Sequence, residues 1–173
     1  MIARRMVSRT PAVRVVVRRA QASDLTAINA IERAAFTDPW PASAFKEALA
    51  SEHLYFSVGV DPAGAVVGYV VGWFAGGEGE IANIAVACEA RGHGIGGQLL
   101  DEALTAARAT GSEVVHLEVR ESNVAAQALY ASRRFGPVGR RRAYYRTPVE
   151  DAIVLRRTLV GATEEAPPDG GGT

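Results

Sequence analysis

The chain of 173 residues contains one cysteine, Cys88, and one lysine, Lys46. A single cysteine forbids any intrachain disulfide and agrees with a reducing compartment, so a cytoplasmic location is expected. No base stands beside Cys88 in sequence, and it is expected to be a small, semi-buried filler rather than a nucleophile. Neither sign of charge is in excess, because 19 Lys and Arg balance 19 Asp and Glu. With no overall field to draw the protein to nucleic acid or a membrane surface, neither is expected as a partner. Also missing is any apolar run near the ~20 residues that span a bilayer. Val13 to Val17 is interrupted by Arg14 and followed by Arg18 and Arg19, which makes a poor signal peptide. No metal is expected.

What remains is the balance of an ordinary globular domain, 48% hydrophobic and 22% charged, long enough for one sizeable core. Residues 1–11 read as a flexible leader and 12–160 as the domain. Residues 161–173 are rich in Gly, Pro, Glu and Asp and are expected to be disordered.

The pattern along the domain alternates between strand and helix signals. Val13 to Arg18 predicts a strand. Leu25, Ile28, Ile31 and Ala35 recur at helical spacing after a cap at Ser23 or Asp24. Asp38-Pro39-Trp40-Pro41 breaks that helix, and Pro41 suits the first turn of another through Leu49. Leu54 to Val60 and Ala65 to Phe74 predict a hairpin turned by Asp61-Pro62-Ala63-Gly64. Glu80 to Val86 is the next strand. A helix then runs to about Thr110 with Gly111 as C-cap. Val114 to Val119 is a strand, Ser122 or Asn123 caps a helix to about Arg134, and 136–145 and 152–159 form a last hairpin. The order β-αα-βββ-α-β-α-ββ predicts a mixed α/β fold, a sheet with helices on both faces.

Between the fourth strand and third long helix stands Arg91-Gly92-His93-Gly94-Ile95-Gly96-Gly97. A glycine-rich loop entering a helix stacks free backbone N–H groups where the helix dipole favours negative charge. A phosphate-bearing ligand is expected there. Gly92-x-Gly94-x-x-Gly97 also fits a dinucleotide fingerprint, with Glu118 at about the right distance for a ribose contact. Against that, the fingerprint normally follows the first strand of a larger parallel sheet. A P-loop is excluded because no Gly-Lys-Ser/Thr follows.

On the fifth strand, Val115, Leu117 and Val119 face one way while His116, Glu118 and Arg120 face the other. A carboxylate in an interior strand costs free energy unless partnered or hydrated, so Glu118 is either a general base or half of an ion pair with Arg120 or another arginine. On the next helix, Asn123, Gln127, Tyr130 and Arg134 form one stripe, with Ala125, Ala128, Leu129 and Ser132 as the adjacent apolar side. The Tyr130 hydroxyl can protonate a leaving thiolate, or Tyr130 is an amphipathic residue at the core edge.

Arg91-x-x-Gly94-x-Gly96 resembles the loop of the GNAT acetyltransferase superfamily. Asn83-Ile84-Ala85-Val86, the run from Leu117 through Tyr130, Tyr144-Tyr145 and Glu150-Asp151-Ala152-Ile153 are similar to the ribosomal-protein alanine N-acetyltransferase (RimI-type) family. The likeness runs from about residue 14 to 159 and includes Asp38-Pro39-Trp40-Pro41. It implies a GNAT-type, mostly antiparallel seven-stranded sheet and acetyl-CoA as co-substrate. It further implies that Ile84, Ala85 and Val86 bind the pantetheine arm, that Arg91, Gly92, His93, Gly94, Ile95, Gly96 and Gly97 hold the pyrophosphate, and that Asn123 touches the CoA. Glu118 matches the proton acceptor and Tyr130 the proton donor, while Trp40, Tyr144 and Tyr145 lie along the acceptor groove. The implied acceptor is a protein N-terminus, that of the eighteenth small-subunit ribosomal protein. Arg140, Arg141, Arg142 and Arg146 make that side basic by sequence, which argues against a small polyamine acceptor. A small-amine acetyltransferase and a non-catalytic nucleotide- or CoA-binding module are the alternatives.

Overall fold

The computed structural model describes residues 11–159. Seven strands and four helices follow one another as β1 (Val16–Arg19), α1 (Leu25–Ala35), α2 (Ala42–Ala50), β2 (Leu54–Val60), β3 (Val66–Ala75), β4 (Glu78–Val86), α3 (Ile95–Ala109), β5 (Val114–Arg120), α4 (Val124–Ser132), β6 (Gly136–Arg146) and β7 (Val149–Thr158). The strands form one sheet in the order β1-β2-β3-β4-β5-β7-β6. Every neighbouring pair is antiparallel except β4 and β5, which run parallel with α3 as their crossover. No described helix is long and apolar enough to cross a membrane.

Two apolar layers flank the sheet. On one side Leu99, Leu100, Ala103, Leu104 and Ala107 of α3 pack on Val70, Ile81, Val115, Leu117 and Val119, with Tyr130 and Phe135 completing the layer. On the other side Ile28 and Ile31 of α1 and Phe45 and Ala48 of α2 cover Phe56, Val58, Tyr69, Val71 and Ala85. A bulge in β4 lets one strand serve both layers. Val71 pairs with Asn83 but Gly72 pairs with Ile81, so Ala82 is the extra residue. Without it Ile81, Asn83 and Ala85 would share a face. With it, Ile81 faces α3 while Asn83 and Ala85 face α1.

Several boundaries differ from the sequence expectation for identifiable reasons. β1 begins at Val16 rather than Val13 because residues 13–15 bond to the glycine-loop region. Val13 N–H donates to the His93 carbonyl (3.1 Å), and Val15 N–H donates to Gln98 Oε1 (3.1 Å). The expected leader, 1–11, lies outside the described residues up to 10, and the Pro11 carbonyl lies 3.2 Å from His93 Nδ1. The expected tail, 161–173, lies outside the described residues. Asp24 does not cap α1 with its side chain; its carboxylate accepts from Gln21 N–H and pairs with the Arg18 guanidinium, which lowers its pKa. Cys88 is exposed rather than semi-buried.

α4 ends two residues earlier than its periodicity implies. Phe135 N–H donates to the Tyr130 carbonyl (3.1 Å) and Arg134 N–H to the Ala131 carbonyl (3.0 Å). These two bonds define a Schellman cap, with Phe135 and Tyr130 in its usual hydrophobic contact, ring centroids 6.1 Å apart. Arg134 therefore leaves the helical stripe and takes φ +63°, a conformation that suits glycine. The α3 cap has the same two bonds, and there Gly111 holds that position at φ +80°. The expected apolar side of α4 is also corrected. Ala125, Ala128 and Ser132 are exposed, and the helix rests on the sheet through Ala126, Leu129 and Tyr130. Arg134→Gly is expected to stabilise the fold by ~0.5–1 kcal/mol, read as a rise of about 1–4 °C in thermal melting. No change or a fall would show that Arg134 makes compensating contacts.

Candidate active site

The site follows from where β4 and β5 stop pairing. Their ladder covers Glu78–Ile81 against Val114–Leu117, yet β4 continues to Val86 and β5 to Arg120. Beyond Ile81 and Leu117 the two strands part. The backbone of Asn83 to Val86 then has no ladder partner on its β5 side, and Glu118 is the first residue of β5 past the split. Helices start beyond both carboxyl ends, α3 after β4 and α4 after β5. Ligands of open α/β sheets bind at this kind of position.

At the α3 end, Gly92 and Gly94 hold φ +80° and +79°, the turn that aims the following amides out of the helix N-terminus. Gly96 and Gly97 are glycine for a different reason. A Cβ on Gly96 would sit 3.3 Å from Leu129, and one on Gly97 would strike the Arg133 guanidinium. Arg133 in turn pairs with Asp101. Ile95 is buried in the α3 layer. Arg91 Nε donates to the Val86 carbonyl (3.1 Å), tying the loop to the end of β4. The His93 imidazole turns to Pro11, so only its backbone belongs to the cradle. At the α4 end Asn123, exposed, caps the helix by accepting from Ala126 N–H (3.1 Å). Two helix N-termini and an unpaired strand edge fit a diphosphate joined to an amide-bearing arm. The dinucleotide arrangement does not hold, because Glu118 faces away from the α3 layer.

Glu118 shares the open face of β5 with His116. Its side chain is 19% exposed and forms an ion pair with Arg141 of β6, whose side chain is 60% exposed. Arg120, the other partner considered from sequence, pairs with Glu150 (3.1 Å). The half-exposed Tyr144 places its hydroxyl against the Glu118 carboxylate, which pushes the phenol up to about 12. Tyr145 is raised by burial and by the same carboxylate, and the Arg120 guanidinium lies 4.2 Å over its ring. Tyr144 and Tyr145 meet edge to face, 5.2 Å between centroids.

Tyr130 lies on the opposite face of β5, in the α3 layer, 6% exposed. Burial raises its pKa, with Tyr145 adding to the effect. It is a core residue rather than a core-edge one. Glu118 and Tyr130 thus stand on two sides of one strand. Tyr145 lies close enough to influence both.

The far end of the open face is roofed. Trp40 N–H donates to Glu32 Oε1 (2.7 Å), and the Trp40 ring packs on Phe45 (5.6 Å). Glu32 is a fully buried carboxylate that also accepts from the Tyr69 hydroxyl and from Asn83 Nδ2. Residues 37–38 reach the β6–β7 turn: the Thr37 hydroxyl donates to the Thr147 carbonyl, and Asp38 Oδ2 accepts from Arg146 and Thr147 N–H. Arg120 spans the same junction, donating to Thr37 Oγ1 and the Pro148 carbonyl.

Of the four arginines expected to make the acceptor side basic, two are paired. Arg140 pairs with Glu121 and Asp151, and Arg141 with Glu118. Beside them lies a cavity of about 190 Å³ whose lining includes Trp73, Glu78, Glu80, His116, Glu118 and Arg141. Glu32, Glu80 and the Arg141 contact were not singled out from sequence, although Glu80 and His116 are register partners. No group of metal-ligating side chains occurs among the described residues.

This arrangement, a split parallel pair with a glycine cradle at one strand end and a carboxylate beyond the split, is that of an acyltransferase. The model of the acetyltransferase (GNAT) family matches residues 25–136, more than half the chain, and the chain belongs to that family. It is an N-acetyltransferase. It is 45% identical over 124 residues to the N-alpha-acetyltransferase RimI of Mycobacterium tuberculosis, covering 69% of this chain and 76% of that one. Over 137 residues it is 32% identical to the ribosomal protein bS18-alanine N-acetyltransferase of Escherichia coli K12, covering 78% and 91%. A crystal structure of the ribosomal-protein-S18-alanine N-acetyltransferase from Escherichia coli superposes with a TM-score of 0.78 at 28% identity, covering 89% and 99%.

The Tyr144 hydroxyl provides a direct check on this geometry. A neighbouring carboxylate disfavours the phenolate, so its removal lowers the phenol pKa. In Glu118→Gln, a site-resolved NMR titration of Tyr144 is expected to move from about 12 toward the ordinary ~10. An unmoved titration would show that the two side chains are not in contact in solution.

Proposed function

We propose that the chain transfers the acetyl group of acetyl-CoA to the α-amine of a protein N-terminus, with the N-terminal alanine of ribosomal protein bS18 as acceptor. The observation that carries the reading is Glu118, a carboxylate at the first residue where β5 leaves β4, beside the end of a glycine cradle. The likeness to the Mycobacterium tuberculosis and Escherichia coli enzymes supports the acceptor.

In this account the amides of 92–97 hold the pyrophosphate, Asn123 lies against the CoA, and the free backbone edge of Ile84, Ala85 and Val86 aligns the pantetheine arm. Acetyl-CoA, when bound, supplies a thioester carbonyl open to attack by an amine. Glu118 takes up the proton that the acceptor ammonium must lose; once the amine has attacked, the nitrogen sheds its second proton to water as the C–S bond breaks. An α-amine has a pKa of about 7.7–8.0 against about 10.4 for lysine. Freeing it at pH 7 costs roughly 1 kcal/mol, against roughly 4.6 kcal/mol for lysine. The α-amine is therefore the easier of the two for a single carboxylate to deprotonate. Tyr130, kept neutral by burial, offers its O–H as a hydrogen-bond donor to the departing thiolate. Trp40, Tyr144 and Tyr145 wall the acceptor's path.

The carboxylates of the cavity keep a second acceptor class in view, because a polyamine would also suit them. A panel of acceptors decides between the two: peptides beginning with Ala, Ser or Met, one whose only amine is an internal Lys, and spermidine, all followed by mass spectrometry. The Ala-initial bS18 sequence is expected to turn over fastest. Faster acetylation of spermidine or of the internal Lys would reject the reading. Glu118→Gln is expected to lower kcat by about 10²–10⁴-fold with acetyl-CoA affinity by calorimetry unchanged. Tyr130→Phe is expected to lower kcat with little effect on either KM. Full turnover by either variant would remove that residue from its role.

A further inference from the structure

Arg141 reaches the Glu118 face through the regular register of β6 and β7 and stands just ahead of a bulge in β6. Arg141 is opposite Ala152 and Tyr145 opposite Glu150, so β6 spends three residues where β7 spends one. Inside this bulge Ala143 sits at φ +50°, its N–H held by Asp151 Oδ1 (2.9 Å). Arg140 is fixed by two carboxylates, Glu121 at 2.7 Å and Asp151 at 2.9 Å. Arg141 differs from its neighbour. Among the described residues its one ion pair is with Glu118, its side chain is mostly exposed, and it lies on an edge strand against the cavity.

Glu118 is also the group that the acceptor must meet. An N-terminus arrives mostly as an ammonium ion at pH 7, a single positive charge seeking a carboxylate. The guanidinium already there carries the same charge. The remaining titratable side chains around the cavity are Glu78 and Glu80 of β4, His116 of β5 and the adjacent Tyr144. They leave the acidic field intact whichever cation is seated.

We propose that Arg141 is a positioning residue that acts as a resting plug: its guanidinium holds the acceptor ammonium's place on Glu118 and leaves when the acceptor arrives. The inference rests on Glu118 as the acceptor-facing carboxylate of the proposed function. A partly exposed ion pair is weak, so the plug is cheap to displace and lowers the fraction of enzyme ready for acceptor by a small factor. It also keeps an unpaired carboxylate from facing the cavity when no acceptor is bound.

The test is steady-state kinetics of Arg141→Ala and Arg141→Lys with the bS18 N-terminal peptide, each variant first shown to melt as the wild type does. Arg141→Ala is expected to lower the peptide KM by about 2–5-fold, with kcat and the acetyl-CoA KM within twofold of wild type. Arg141→Lys, which restores a cation, is expected to return the peptide KM toward wild type. Millimolar guanidinium chloride is expected to compete with peptide in Arg141→Ala more than in wild type, against sodium chloride at equal ionic strength. An unchanged or raised peptide KM in Arg141→Ala, or a fall confined to kcat, would overturn the plug.

A double-mutant cycle separates this idea from the reading beneath it. In a Glu118→Gln background, Arg141→Ala is expected to leave the peptide KM unmoved, because the seat itself is gone. A KM fall that persists there rejects the plug. Full kcat in Glu118→Gln alone rejects the base assignment instead.

Discussion

Everything in this enzyme depends on two parallel strands that pair for only part of their length. β4 and β5 are joined from Glu78–Val114 to Ile81–Leu117 and then separate. Backbone groups inside a sheet are normally paired, and an unpaired run costs free energy unless another partner or water meets it. In the proposed function this unpaired run is the edge that meets the pantetheine arm. In the proposed reaction the Glu118 carboxylate and the Tyr130 hydroxyl, on opposite faces of β5, meet the thioester through this split.

The surrounding structure serves to hold that gap in shape. The Ala82 bulge turns β4 so that Asn83 meets the buried Glu32 while Ile84 and Val86 pack toward α3. Glu32 in turn anchors Trp40 and so fixes the loop between α1 and α2. Arg120 ties that loop to the β6–β7 turn. On the other face, the Schellman cap that ends α4 locks Phe135 against Tyr130. Removing one partner of a buried carboxylate network costs more than an average hydrogen bond, because the charge is then left unmet. These contacts therefore hold the candidate site in shape.

The sequence made the element order legible because each element carries its own signal. Leu54 to Val60 reads as a strand and is one, Asp61 to Gly64 reads as a turn and is one, and Gly111 caps α3 as its type implies. The opposed faces of β5 were legible from alternation alone. What failed did so where tertiary contacts decide. The alanine-rich α4 offers apolar residues all round, so its buried side is set by the sheet rather than by its own pattern. The three consecutive arginines of β6 look like a basic patch until Glu118, Glu121 and Asp151, distant in sequence from some of them, are seen to meet two of them. A buried Glu32 gives no sequence signal, because an isolated Glu on an amphipathic helix normally faces water.

The most direct measurement is the structure of this enzyme with CoA and a bS18 N-terminal peptide bound. The account places the diphosphate on the amides of 92–97, the thiol in the gap between residues 83–86 and 118–120, and the peptide amine beside Glu118, with the sulfur within hydrogen-bond reach of the Tyr130 hydroxyl. CoA elsewhere on the surface, or a peptide amine on the Tyr130 side of β5, would contradict it.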